Sequence, residues 1–594
     1  MTPTAIDINL PAKKVHTTDG ATIDTIDLTT EEGRAAISNI LDNALVLGWG
    51  QTEKLRRLVK DYRLMWPNRY YDVQGAGRFH YPGCGTDAGA YHIGASTEVE
   101  RTFKLWQALP LPKVEQRLLE ATGFINGLDL EVDQQRLQEA LPSLDEEERN
   151  VIDQLNEGWQ LSLDTHHTVE TARARLQALT GLRCAEVDRT EPQAYLDPHV
   201  SQALALIKTL SSLRKGRERI RKLSQQATTP FNYRYAASPT LRWSSPKSSQ
   251  LEQAENLLAI PKSYRPVAEP IRSSISLPQS CVFVAGDLSQ VDYRALGHLS
   301  GCKHICNLYE NDPHADPYIS YWQGMTGQRL TKDSPERKVA KAQVLSAMYL
   351  QGIRGTCDRM VQSGVSEEQA AEICEARGWR YSDVQAECQR AEEAGHTTAH
   401  QTLVAHARQG FNNLHKEIMQ LVEALENLLI RLCNTRHPED VMQTLHLDRR
   451  IPKTIGLAVS RSSDDRLDIR MRLGKAEPGW NYPSLKWMSV EDSGRGLTFL
   501  KDGRRKRLTK NIIANNLGQT YARQVTVKGT LELEDKADFP LMTPAIHDQL
   551  LVICHEDNAD KAASLLRETF DPHKTWWAAI PPSDIQICPT LDIQ

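Results

Sequence analysis

CVFVAGDLSQVDYRALGHLSG, residues 281–301, packs an apolar run, a carboxylate and the start of a helix into one short line of sequence. Cys281 to Ala285 is brief and uninterrupted in its hydrophobicity, which reads as a buried strand. It delivers Asp287 at its C-terminal end, and a helical pattern opens near Val291. A carboxylate at a strand end is well placed for chemistry.

Two further segments make sense beside it. PAIHDQLLVICHE (544–556) sets apolar strand on either side of a polar tip at His547 and Asp548, the way a tight strand-turn-strand presents a carboxylate to a cleft. SPERKVAKAQVLSAMYLQG (334–352) reads as a helix on which Arg337, Lys341, Leu345 and Tyr349 recur every four residues and so stay near one face. Two cations and a flat ring on one face fit a nucleoside triphosphate, with charge for the phosphates and apolar positions for sugar and base. Phosphoryl transfer needs two divalent ions roughly 3.5 to 4 Å apart, held by acids that converge from different chain segments. Asp287 and Asp548 would supply them. Each alone is more often a cap or turn carboxylate; the conjunction is what carries the reading.

The rest of the chain bounds the answer. Its 594 residues imply several domains. With 71 Lys and Arg against 76 Asp and Glu, any nucleic-acid contact must come from local basic patches rather than a global field. One such patch is Arg214, Lys215, Arg217, Arg219, Arg221 and Lys222, on a helix whose other face carries Leu206, Leu210, Leu213, Ile220 and Leu223. Another is KDGRRKRLTK (501–510). IGLAVSR and LDIRMRLG around SSDDR look like a hairpin, and Ser366 and Gln369 are spaced as a capping box. Residues 1–105 suggest a small α/β or irregular domain. Eleven scattered cysteines and no apolar leader fit a reducing, cytoplasmic setting, and no run is long enough to span a membrane. No G-x-x-x-x-G-K or G-x-S-x-G occurs, so ATPase and serine-hydrolase readings lack support. A zinc cluster drawn from His298, Cys302, His304 and Cys306 lacks paired C-x-x-C spacing, and a metal pair at His166 and Glu170 is as weak.

The three segments resemble motifs A, B and C of family A DNA polymerases, the group of bacterial DNA polymerase I and many phage replicative polymerases. Motif A, D-Y-S-Q-I-E-L-R-x-x-A-H-L-S-G in the family, stands here as Asp287, Leu288, Ser289, Gln290, Val291, Asp292, Tyr293 and Arg294, then His298 to Gly301. R-x-x-x-K-x-x-x-F-G-x-x-Y is matched by Arg337, Lys341, Leu345, Ser346 and Tyr349, and V-H-D-E by Ile546, His547, Asp548 and Gln549. LRWSSP carries Arg242, Ser244 and Ser245 like T-G-R-x-S-S, NLLAIP (256–261) is similar to N-L-Q-N-I-P, and Gln519, Ala522 and Arg523 resemble the Q-x-x-A-R of phage-type members. Together the matches span roughly 106–594.

The resemblance implies a multidomain α+β/α/β protein of right-hand architecture: a palm with an antiparallel sheet, helical fingers and thumb, plus a small N-terminal domain. The expected bounds are 1–105 for the N-terminal domain, 106–228 for the thumb, 229–305 and 441–594 for the palm, and 306–440 for the fingers. It implies primer extension with dNTPs on primer-template DNA, using two Mg2+ ions held by Asp287, Asp548 and the Leu288 carbonyl. Arg337 and Lys341 would grip the triphosphate, Leu345 and Tyr349 would lie by the sugar and nascent base pair, and Asp292 would stand where a Glu blocks a ribose 2′-hydroxyl. Arg242, His547 and Gln519 would touch primer or template, and the helix bearing Arg214 and Lys215 would lie along the duplex. If phage-encoded, the protein would work in the bacterial host cytoplasm.

Departures from the pattern are specific. Leu345 replaces an aromatic, Ser346 and Leu350 replace glycines, Gln549 replaces an acid, and Asp292 is one methylene shorter than Glu. Motif B also resembles the R-x-x-x-K-x-x-V-M-T-x-x-Y of single-subunit RNA polymerases, although those carry a small residue where Asp292 stands. A retired polymerase fold that only binds primer-template is the other alternative. A proofreading domain takes nearly 200 residues, too many for 1–105, which then read as a relic of that domain or a dock for a separate replication or processivity factor. The D-x-E at Asp129 and Glu131 reads as a helix-start carboxylate rather than a second metal site.

Overall fold

The structure is a computed structural model. It describes residues 3–591 apart from 49–50, 63, 66, 68, 75, 77–96, 109–110, 182–197, 232, 236–241, 244–264, 279, 393–395, 436–440, 442–447, 462–466, 474–479, 483–485, 491–493, 502–503, 547–548, 576 and 581–583.

Cys281–Asp287 is a strand, as its apolar run predicts, and it lies inside an antiparallel sheet. The order across the sheet is Leu541–Met542, Gln549–His555, Cys281–Asp287, Gln586–Cys588, with Ala545–Ile546 also pairing onto Gln549–His555. Phe283 and Ala285 point into one core with Leu551 and Ile553, while Val282 and Val284 point into another with Leu550, Val552 and the helix Ala559–Thr569. Side chains alternate between faces, so a strand covered on both sides needs apolar residues at every position. That is why no alternation shows in CVFVA.

The helix Val291–Ser300 follows at once. Gln290, its N-cap, takes φ 50°, and its side-chain oxygen accepts from Tyr309 Oη at 2.6 Å. The long helix Lys510–Lys536 packs across Val291–Ser300, close enough that a Cβ on Gly518 would sit 3.6 Å from the Asp292 carbonyl oxygen.

Gln134–Trp159 and Pro198–Leu223 form a long antiparallel helix pair: Asp145 meets Arg217 while Glu148 meets Arg214, in reversed order. Leu210, Leu213, Ile220 and Leu223 are buried in one stripe as the spacing predicts, with Leu206 at its edge. Asp129 and Glu131 do not start the helix. They stand exposed on the strand Asp129–Val132, and Asp133 is the cap, its carboxylate accepting from Arg136 N at 2.9 Å.

Residues 291–434 build a second, mainly helical core around Trp322, Tyr321, Tyr309 and Phe411. The capping box Ser366/Gln369 forms and opens the helix Glu367–Arg377. The hairpin Ile455–Arg461/Leu467–Leu473 also forms, extended by Trp480–Tyr482; its SSDDR turn falls outside the described residues. A second three-stranded sheet follows, and its edge strand Arg504–Arg507 is exposed at every residue.

The N-terminal stretch is α/β. Its mixed sheet has the order Ile23–Asp27, Lys14–Thr18, Pro3–Asn9, Leu45–Gly48, Arg69–Asp72, antiparallel through the first three strands and parallel through the last two pairings. Asp7 on its central strand accepts from Gln51 Nε2 at 3.2 Å and faces Lys54. Among the described residues no helix is long and apolar enough to cross a membrane.

Candidate functional site

Asp287 ends its strand directly opposite Gln549. Leu288 is fully buried, and the turn beyond it is pinned by Ser289 N donating to the Ala579 carbonyl at 3.0 Å. His547 and Asp548 lie outside the described residues, as do Ser244, Ser245 and 256–261. Ile546 and Gln549, on either side of His547 and Asp548, pair with each other, and Gln549 is buried.

Asp292, in the first turn of the next helix, gathers two partners named from sequence. Its Oδ1 accepts from Arg242 Nη2 at 2.9 Å and its Oδ2 accepts from the Tyr349 hydroxyl. The structure therefore brings together Arg242, Asp292 and Tyr349. It does so differently from the single helical face expected for 337–349. The helix Pro335–Ala347 ends before Tyr349, which reaches Asp292 from a turn closed by Leu350 N to Ala347 O (2.8 Å) and Gln351 N to Ser346 O (2.9 Å). Leu350 takes φ 54° there, a left-handed conformation that halts a helix.

Arg337, Lys341 and Leu345 do share the less buried face of that helix. Arg337 grips Asp316 through Nε at 2.8 Å and Nη2 at 2.6 Å. The other oxygen of Asp316 accepts from the backbone N–H groups of Tyr318 and Ile319, capping the helix Pro317–Thr326. Sequence reasoning missed Asp316; Asp followed by Pro signals a helix start and nothing more. Lys341 is exposed and Leu345 half-buried. Gln519 stands beside the Gly518 crossing, its Nε2 donating to Asn515 Oδ1 at 2.8 Å.

The basic helix divides its cations. Arg214 turns inward, its Nε on Glu148 at 2.7 Å and a second nitrogen on the His167 carbonyl, while Arg217 holds Asp145 and Glu148. Lys215 and Arg221 are exposed. Of the two residues expected on a duplex, Lys215 points outward and Arg214 holds this helix to the rest of the fold.

The drawn zinc set disperses. The Cys302 thiol faces the Leu414 carbonyl and the Cys306 thiol the Gly297 carbonyl, each at 3.7 Å, while His304 packs edge-on against His415. Among the described residues no three His, Cys, Asp or Glu side chains gather as metal ligands. His415 is fully buried, lies 2.6 Å from Tyr293 Oη and is 3.0 Å from the Phe411 carbonyl. Burial, aided by His304, pushes its pKa down to about 3. It is therefore neutral, with Nδ1 donating to Phe411 and Nε2 accepting from Tyr293.

A last cluster was not anticipated. Arg523 makes a bidentate pair with Glu115, Nη1 to Oε1 at 3.0 Å and Nη2 to Oε2 at 2.7 Å, both side chains almost wholly buried. Tyr235 donates its hydroxyl to the same carboxylate, and Trp243 packs by the guanidinium, 5.5 Å from its carbon to the ring centre.

No family model matches the chain, and no curated protein matches it in sequence. Among solved structures it is similar to the POL domain of Pol1 from M. smegmatis in complex with DNA primer-template and dNTP, with a TM-score of 0.62 and 12% identity, covering 99% of this chain and 95% of that one. At that identity the likeness is one of fold, and it extends over nearly the whole of both chains.

Proposed function

We propose that this chain is a DNA-templated DNA polymerase that extends a primer 3′-hydroxyl with deoxynucleoside triphosphates. The observation that carries the reading is the convergence of Arg242 and Tyr349 on Asp292, five residues past a strand-end carboxylate, in a chain that shares the fold of a polymerase domain solved with primer-template and dNTP.

Asp287 and Asp548 are the residues that would hold two magnesium ions, with the Leu288 carbonyl completing one sphere. Two features fit that role: Asp287 sits at an end of the strand, and Asp548 is covalently bonded to Gln549, the residue opposite it. Such ions, when bound, lower the pKa of the attacking hydroxyl and stabilise charge on the leaving pyrophosphate. The chain's own groups do the rest. Arg337, braced by Asp316, and exposed Lys341 offer cations to the triphosphate. Asp292, held from two sides, stands as a fixed obstacle to a 2′-hydroxyl. Gln519 and Arg242 contact template and primer, and Lys215 and Arg221 lie along the duplex phosphates.

We also assign no proofreading to the chain. Asp129 and Glu131 are exposed on a short strand.

The test is primer extension on a labelled primer-template with magnesium, offering deoxynucleotides or ribonucleotides, alongside Asp287→Ala and Asp548→Ala. Extension with deoxynucleotides that both substitutions abolish, with DNA binding retained, is the expected result. Extension with ribonucleotides alone would make this an RNA polymerase. Tight primer-template binding without extension would make it a binding module.

A further inference from the structure

We propose that the buried Glu115–Arg523 ion pair is a positioning device for Asp292, acting through Trp243 and the adjoining Arg242, and so sets how strictly the site excludes ribonucleotides. This rests on the polymerase reading above.

The pair is an odd thing to keep for stability. Both side chains are within 2% of complete burial, and stripping water from two charges costs so much that well-packed apolar residues usually hold a fold as well or better. What an apolar pair cannot supply is direction. The guanidinium fork meets the carboxylate in one plane, and the Tyr235 hydroxyl fixes that plane from a third side. The Tyr235 ring stands edge-on to Trp243 at 6.0 Å and 80°. Trp243 is tied again at its other end, where the indole N–H donates to Thr122 Oγ1 at 2.8 Å. Glu115 and Thr122 are seven residues apart on the helix Lys113–Ile125, two turns along one face. One helix face and one arginine thus clamp the indole.

The clamp reaches the site by the shortest covalent route. Arg242 immediately precedes Trp243, and its Nη2 holds Asp292 Oδ1 at 2.9 Å. The helix Lys510–Lys536 closes the circuit: Gly518 lies under the Asp292 backbone and Arg523, five residues on, lies against Trp243. Asp292, Arg242, Trp243, Arg523 and Gly518 thus form a closed ring of neighbours. With Asp292 one methylene shorter than the family's Glu, its reach toward a 2′-hydroxyl depends on where this ring puts it. Arg523 and Glu115 touch none of the proposed reacting groups; they are positioning residues.

Two measurements test this. In single-nucleotide insertion assays, Arg523→Lys, which keeps the charge and loses the fork, and Glu115→Gln should each lower the preference for deoxy- over ribonucleotides by roughly tenfold. The change should appear mainly as a lower KM for the ribonucleotide, with kcat for the deoxynucleotide little altered. Leu41→Ala, in the separate N-terminal core, serves as a control: it should lower Tm and leave the preference unchanged. An unchanged preference in both ion-pair variants, or an equal loss in Leu41→Ala, would overturn the proposal. The second measurement needs no activity: thermal melting of Arg523→Lys, Asp292→Asn and the double variant. Arg523 is linked to Asp292 through Trp243 and Arg242, so a double effect that departs from the sum shows that the ring couples them, and strict additivity would refute it. Should the wild-type protein extend no primer, the polymerase reading fails and this melting cycle alone decides whether the ring exists.

Discussion

Asp287 and Gln549 face each other across the two adjacent central strands of the sheet, as direct register partners. Gln549 is 4% exposed, so the position opposite the strand-end carboxylate is filled by a buried neutral amide. Two carboxylates there would repel unless cations lay between them. Gln549→Glu should therefore lower Tm in a chelator, and magnesium should raise Tm more in this variant than in wild type, because ligand binding to the folded state stabilises it. Identical magnesium responses would mean that a side chain at position 549 does not reach a cation site.

Tyr349 donates a hydrogen bond to Asp292 from a turn rather than from the preceding helix. Tyr349→Phe keeps the ring and deletes the donor. Ribonucleotide insertion should rise several-fold relative to deoxynucleotide insertion, with unchanged primer-template affinity. Steady-state insertion kinetics beside a binding isotherm would check both halves.

Two kinds of cation share the Pro198–Leu223 helix, and they should fail in different ways. Lys215→Ala with Arg221→Ala should weaken primer-template binding and flatten its salt dependence, by about 0.9 in the logarithmic slope for each duplex phosphate no longer neutralised, while leaving Tm in place. Arg214→Ala should do the reverse. It strips one partner from buried Glu148, although Arg217 remains, so the loss of stability should fall below the roughly 3–5 kcal/mol typical of a broken buried pair. Denaturant titration and salt-dependent binding, run on both variants, separate the two roles.

Gly216 explains itself by what lies over it. A Cβ there would stand 2.3 Å from a methyl of Val267, on the helix Arg265–Ser273. Alanine normally favours a helix over glycine by about 1 kcal/mol, yet Gly216→Ala should destabilise by roughly 1–3 kcal/mol through overpacking. Gly216→Ala combined with Val267→Ala should recover part of the loss. Urea midpoints of the two variants provide the comparison.

His415 should make the protein acid-sensitive. Its folded pKa is depressed to about 3 from an ordinary value near 6.5, so the unfolded chain binds a proton that the folded one refuses. Its stabilising contribution is complete above pH 6.5 and is lost progressively as pH falls toward 3. His304, also pushed down by burial, works in the same direction. His415→Gln should reduce the difference in Tm between pH 7.5 and pH 5, whatever it does to Tm itself. An undiminished pH difference would show that other groups carry the acid response.

What the sequence disclosed depended on how local each signal was. The strand of Asp287 was legible because burial on both faces leaves an unbroken apolar run. The stripe of the basic helix and the Ser366 capping box were legible because each completes its pattern within a few turns. Arg242 and Asp292 came from motif resemblance, since nothing local says that residues fifty apart share a carboxylate. The Glu115–Arg523 pair spans 408 residues and leaves no periodic trace. Tyr349 was misplaced onto a helix because its spacing continues the pattern; the turn that removes it depends on the backbone of Leu350. Asp129 and Glu131 were read one element too late, because a carboxylate next to a helix start is a cap only if its own backbone has left the strand. The sheet ending in Arg504–Arg507 went unseen because an exposed edge strand carries no apolar period to detect.

The Cys281–Asp287 strand has both of its neighbours drawn from residues 541–588, and the final contacts, Ser276 with Thr590 and Leu591 N to the Ile275 carbonyl, come later still. During synthesis this strand therefore leaves the ribosome hundreds of residues ahead of everything that pairs with it. The helix pair and the N-terminal sheet, built from nearer contacts, can settle first. CVFVA meanwhile waits with two open edges, a segment that must be shielded from other nascent chains. Asp287 acquires its surroundings only once residues 541–588 have been made, so a translation product truncated before them should be insoluble rather than partly active.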